Sequence, residues 1–146
     1  MIINEITRVT PELHSRIHYL LKELTDKDIL FSLDDFNSIV NSEHSILLGA
    51  FDKENLVGIL TLVIVQIPTS RNGRIEDVVV DKNYRGEGIG EKLSLEAIRI
   101  SKELKLSKLF LTSNPNRIGA NKLYQKIGFQ LATTNAYYYI INKNGR

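Results

Sequence analysis

Apolar and polar positions alternate from the first residues, where "IINEITRV" reads as an antiparallel strand with one wet face. The period then changes. Thr10 and Pro11 occupy the cap and first-turn positions of a helix. Leu13, Ile17, Leu20, Leu21 and Leu24 recur at helical spacing as its buried stripe. A second, shorter helix runs from about Leu33 to Val40, with Asp34 and Asp35 near its positive end.

Two strand-like runs follow, "SILLGAF" and "LVGILTLVIVQI", joined by "DKEN" as a hairpin. The segment "PTSRNGR" reads as a loop and "IEDVVV" as the next strand. Beyond a glycine-rich stretch, Ile89, Leu93, Ala97, Ile100 and Leu104 mark one face of a long helix. "KLFLT" is a further strand, and "SNPNR" leads into a helix whose inner face is Ala120, Leu123, Tyr124 and Ile127, ended by Gly128. "FQLA" and "AYYYII" close the chain as two more strands. The order β-α-α-β-β-β-α-β-α-β-β defines an α/β (α+β) fold, a mixed and mostly antiparallel sheet flanked by about four helices.

Composition narrows the function. A chain of 146 residues is long enough for one domain with a real core. A formal net charge of +2 gives no strong pull toward a polyanion, and the lysines of "KELKLSK" form no basic aromatic stripe, so a nucleic-acid partner is not expected. The absence of cysteine removes disulfides, thiolate metal sites and a cysteine nucleophile together. The start of the chain lacks a signal-peptide pattern, and the longest apolar run is too short to span a bilayer. A cytoplasmic protein with no membrane partner is the expectation.

Candidate chemistry concentrates in "VVVDKNYRGEGIGEKL", where a strand, a glycine loop and a helix start succeed one another. Unpaired amides at a helix start bind anions, and glycine lets backbone approach a phosphate closely. A P-loop would need a lysine and a hydroxyl after the glycines, and the dinucleotide fingerprint would need G-x-G-x-x-G where this chain has G-x-G-x-G. Neither nucleotide reading fits.

Arg85, Gly88 and Gly90 form R-x-x-G-x-G, and with the later "ANKLYQKIGF" the chain resembles the GNAT superfamily of acetyl-CoA-dependent N-acetyltransferases over essentially its whole length. The resemblance implies one N-acetyltransferase domain over residues 1–146, with acetyl-CoA as co-substrate and no metal. By it, the amides of Gly86, Glu87, Gly88, Ile89, Gly90 and Glu91, beside Arg85, would cradle the pyrophosphate. The backbone of Val78, Val79 and Val80 would pair with the pantetheine arm, and an amide near Val78 or Val79 would polarise the thioester carbonyl. Tyr124 matches the position of a tyrosine that protonates the leaving thiolate, although its helical face also fits simple packing. Asn114, Asn116, Arg117 and Asn121 are candidate contacts to the CoA arm or, equally, ordinary cap residues.

The acceptor is addressed by "RIEDVVVD". Glu76 and Asp77, adjacent on a strand and therefore expected on opposite faces, would orient an amine, and they stand as catalytic candidates with Tyr124. Their sequence is similar to the corresponding strand of glucosamine-6-phosphate N-acetyltransferases, which implies a sugar-phosphate acceptor and a homodimer built through the C-terminal end. Arg71 and Arg74 are donors suited to a sugar phosphate. A polyamine or protein amine, or a non-catalytic CoA-sensing module, are the other readings. His14 and His18, four apart on the first helix, lack a third ligand and read as exposed helix residues.

Overall fold

The computed structural model describes residues 1–144. Residues Met1–Thr112 form one compact unit, and the residues from Ser113 onward a second.

The first unit is built on β1 (Ile2–Glu5), α1 (Pro11–Lys22), α2 (Leu33–Val40), β2 (Ser45–Asp52), β3 (Asn55–Ile67), β4 (Ser70–Val80), α3 (Ile89–Glu103) and β5 (Leu109–Phe110). A 3-10 turn, Lys82–Tyr84, joins β4 to the glycine loop. The sheet order is β1-β2-β3-β4-β5. The first four strands pair antiparallel and β5 runs parallel to β4.

Local chemistry sets the helix boundaries. The Thr10 hydroxyl accepts the Leu13 amide at 3.1 Å while Pro11 opens α1. Ser32 and Asp35 form a reciprocal capping box on α2. The "DKEN" hairpin closes with Asp52 opposite Asn55, and Lys53 takes φ 56° in the tight turn.

Strand β3 lies at the centre, buried from Leu56 to Leu60 on both faces. On one face Leu56 and Ile59 pack with Ile17 and Leu20 of α1 and Phe36 of α2. On the other, Gly58 faces α3, where an added Cβ would come within 3.3 Å of both Ile89 and Leu93. Leu56 and Ile59, three apart, share a face because the pairing with β2 shifts register between Ala50 and Phe51 and skips Val57.

Three expectations change. The segment "PTSRNGR" is not a loop, because β4 already begins at Ser70 and pairs with β3 back to Ile67. Pairing a long β3 with an equally extended partner satisfies backbone groups that a loop would leave to water. Strand β5 is limited to Leu109 and Phe110. The strands expected from "FQLA" and "AYYYII" are not formed among the described residues, and residues 130–144 are exposed throughout. Their aromatic and apolar residues suit a strand, but a strand also needs a partner backbone.

The second unit carries α4 (Ile118–Lys126). Gly128 follows at φ 107°, the left-handed position at which glycine ends a helix at least cost.

Candidate active site

Strand β4 changes face midway. Ile75 pairs with Leu62 of β3, while Val79 pairs with Ile59. Leu62 and Ile59 are three apart and lie on opposite faces; Ile75 and Val79 are four apart and would share one in an uninterrupted strand. A bulge resolves the conflict: Asp77 and Val78 together stand opposite Leu60. Asp77 takes φ 51°, a left-handed conformation that few residues other than glycine, asparagine and aspartate accept. The opposite-face expectation for Glu76 and Asp77 is therefore replaced by a bulge geometry that regular alternation does not describe.

Beyond the bulge one edge of β4 is open. Strand β5 pairs with β4 only at Gly73 and Arg74, so the backbone from Ile75 to Val80 has no ladder partner on that side among the described residues. This open edge leads to the glycine loop through the Lys82–Tyr84 turn. Gly86 and Gly88 have φ 85° and 75°, and an added Cβ at either meets nothing within 4 Å. Gly88 caps α3 without a side chain to accept the first-turn amides. Backbone donors at a helix start and clear space before them fit a phosphate-bearing ligand.

The loop is anchored from below. Asp81 is only 2% exposed, and its carboxylate accepts from the Arg16 guanidinium of α1 and from the Asn83 amide at 2.9 Å. Arg16 also donates to the Leu56 carbonyl at 2.7 Å and stacks over Tyr19. Burial works against the ionised carboxyl, but the Asn83 amide and the Arg16 guanidinium outweigh it and hold Asp81 below the ordinary carboxylate value. Neither Arg16 nor Asp81 stands out in the sequence. The available signal was an acid following three valines at a strand end, next to a turn.

The expected acceptor residues have partners of their own. Arg74 reaches Glu76 at 2.9 Å, an i, i+2 pair along β4. Partial burial, and then the charge of Glu76, push the Asp77 carboxyl above its ordinary value, an effect that solvent damps at this exposed residue. Arg71 donates to the Leu104 carbonyl at the end of α3 at 3.0 Å. Between them Gly73 serves packing, since a Cβ there would lie 2.8 Å from Leu109. His14 and His18 are not exposed. Both are half-buried, and their Nε2 atoms bond the Phe31 carbonyl at 2.7 and 2.6 Å. Among the described residues no group of three or more histidine or acidic side chains could hold a metal.

In the second unit Tyr124 is buried, with its ring edge-on to Phe129 at 5.8 Å. Burial raises its phenol above the usual value, opposed in part by the charge of Arg117. The asparagines build the start of α4: Asn121 Nδ2 donates to the Asn114 and Arg117 carbonyls, both at 2.9 Å, and the Asn116 amide donates to the Asn114 side chain.

A bulged strand with one open edge, leading to a glycine helix start with no side-chain cap, fits a phosphate-bearing ligand laid along a strand. The chain matches the acetyltransferase (GNAT) family over residues 9–129 and belongs to it. Enzymes of this family use acetyl-CoA as co-substrate.

Glucosamine 6-phosphate N-acetyltransferase of Trypanosoma brucei brucei is 38% identical over 79 residues, 51% of this chain and 51% of that protein. A probable spermine N(1)-acetyltransferase of Bacillus subtilis subsp. natto is 38% identical over 64 residues, 42% of each. The chain thus spans about half the length of these relatives or less. The structure of an aminoglycoside acetyltransferase from an uncultured soil metagenomic sample matches the fold with a TM-score of 0.85 at 16% identity, covering 97% of this chain and 96% of that one.

Proposed function

We propose that the chain is one N-acetyltransferase domain that moves acetyl from acetyl-CoA directly to a primary amine. The observation that carries this reading is the unpaired edge of β4, which runs from the Asp77–Val78 bulge to Val80, one short turn before the glycine loop. Amides from Gly86 to Glu91 hold the pyrophosphate, with Arg85 beside them, and the edge at residues 78–80 aligns the pantetheine. A bulge turns an amide out of the ladder, which leaves Val78 or Val79 as donor to the carbonyl oxygen as it gains charge. The co-substrate supplies an activated thioester carbon. At that carbon the bond to sulfur breaks as the bond to nitrogen forms; the amine loses a proton to water or a nearby carboxylate, and the Tyr124 hydroxyl gives one to the departing thiolate. Asn114, Asn116, Arg117 and Asn121 stand as further contacts to the CoA arm.

The acceptor in this reading is glucosamine 6-phosphate, giving N-acetylglucosamine 6-phosphate. Glu76 and Asp77 orient the amine, Arg71 and Arg74 meet the phosphate, and the partial match to the trypanosomal enzyme supports the assignment. An amino-sugar amine has a low pKa, so no strong base is required. One observation favours a polyamine as a second reading: Arg74 is tied to Glu76 and Arg71 to the Leu104 carbonyl, which leaves the Asp77 carboxylate to meet a cation. A homodimer accompanies either acceptor. It is supported by Tyr137, Tyr138 and Ile141, which are 89%, 91% and 89% exposed in a strand-prone segment.

Thiol release from acetyl-CoA, measured with glucosamine 6-phosphate beside glucosamine, spermidine and a lysine peptide, tests the reading. Turnover with the sugar phosphate alone is the expected result. Turnover with spermidine alone selects the polyamine. Silence with all four, despite acetyl-CoA binding, leaves an acceptor outside this set or the CoA-sensing module.

A further inference from the structure

Glu23 lies at the C-terminal cap of α1, an unfavourable place for a carboxylate, because the helix end already carries partial negative charge. Two cations beside the glycine loop compensate it. Arg85 Nη2 donates to Glu23 Oε2 at 2.9 Å, and Lys82 Nζ stands 3.9 Å from Oε1. The Glu23 side chain is 15% exposed, whereas those of Arg85 and Lys82 are 56% and 61% exposed. The acid is therefore held in the body of the unit while its two partners reach it from the solvent side, Arg85 Nε also donating to the Val80 carbonyl at 3.4 Å.

We infer that Glu23 is a positioning residue that sets cofactor affinity, an internal anion holding Arg85 and Lys82 until a pyrophosphate takes them. The inference rests on the glycine loop being the acetyl-CoA site. Guanidinium binds a phosphate bidentately and more strongly than it binds a carboxylate on one oxygen, and a pyrophosphate carries more charge than Glu23. Ligand entry exchanges one anion for another at the same cations. The bound state then leaves Glu23 at a negative helix end, facing a second anion. Both effects oppose binding, so the carboxylate weakens the affinity that the loop would otherwise have. This keeps the loop neutralised and ordered between ligands. Glu23 lies outside the glycine loop in sequence, and only the fold brings it to Arg85.

The test is a cycle of CoA dissociation constants by calorimetry for the wild type, Glu23→Gln, Arg85→Gln and the double variant. Glu23→Gln is expected to bind CoA about three- to fivefold more tightly, the range set by an exposed ion pair. Arg85→Gln is expected to bind more weakly, and in its background the Glu23→Gln gain shrinks below about twofold. At about 0.5 M salt the gain disappears. Glu23→Asp, which draws the carboxylate back by one methylene, falls between wild type and Glu23→Gln and covers the case in which the glutamine variant folds poorly. Weaker or unchanged CoA binding in Glu23→Gln overturns the inference, as does an equal gain without Arg85. Wild-type protein that binds no CoA overturns the reading of the loop together with the inference; wild-type binding without a gain in Glu23→Gln overturns the inference alone.

Discussion

Arg16 and Asp81, 65 residues apart in sequence, share a hydrogen-bonded ion pair in which the guanidinium meets a carboxylate that is 3% exposed. The pair ties α1 to the junction of β4 and the glycine loop. Because Arg16 also donates to the Leu56 carbonyl, it clamps the start of β3 to the end of β4 from one side chain.

Removing one partner of a buried pair strands the other charge, so Asp81→Asn is expected to lower stability by about 2–4 kcal/mol in urea unfolding. The pH dependence follows from the direction of the shift. A carboxyl held below its ordinary value stabilises the fold above the unfolded-state pKa, and that stability is lost as pH falls through the lower folded value. The wild type should therefore lose stability below about pH 4. Asp81→Asn should lack that component. Parallel stability–pH curves for the two proteins would remove Asp81 from the acid sensitivity.

The glycine loop allows a cleaner separation of binding from folding. A Cβ at Gly88 meets no atom within 4 Å, so Gly88→Ala creates no clash, only the strain of φ 75°. That strain costs about 1–2 kcal/mol. The new methyl also stands in the space a pyrophosphate would occupy. CoA affinity is expected to fall about tenfold or more, beyond what the loss of stability explains, with near-native circular dichroism. Unchanged CoA affinity in a folded Gly88→Ala protein would move the anion site away from the loop.

What was legible in the sequence was local. The Thr10–Pro11 start, the α2 span, the "DKEN" hairpin and the Gly128 stop each depend on neighbours a few residues away, and each appears in the structure. The bulge at Asp77 was not legible, because it arises from a mismatch of register between two strands, and either strand alone reads as regular alternation. The pair Arg16–Asp81 and the turning of Arg71 onto Leu104 are long-range for the same reason. At the C-terminal end "AYYYII" has the pattern of a strand, yet pattern cannot supply the partner that a ladder requires.

Asp77 combines strain with charge, and two substitutions separate them. Asp77→Gly relieves φ 51° and should stabilise the protein by about 0.5–1 kcal/mol. Asp77→Asn tolerates the same conformation and removes only the charge. Since the carboxyl is pushed up by burial and by Glu76, its ionised form disfavours the fold at neutral pH, and that penalty vanishes below the unfolded-state pKa. Asp77→Asn should thus gain slight stability at pH 7 and none near pH 3. Both variants are expected to raise the KM for the amine. A stabilised Asp77→Gly enzyme with unchanged amine KM would assign the residue to backbone geometry alone.

Tyr124→Phe tests the proton transfer. Burial raises the phenol, so the hydroxyl stays protonated through the neutral range and can donate to a thiolate. Removing the oxygen keeps the ring and its edge-on contact with Phe129, which limits the structural effect. Loss of a general acid is expected to lower kcat by about 10²-fold or more, while CoA affinity stays within about twofold. The loss should ease with an acyl donor whose thiol has a lower pKa, because such a leaving group needs the proton less. Equal losses for both donors, or full activity in Tyr124→Phe, would leave Tyr124 as a packing residue of α4 and return the proton to water.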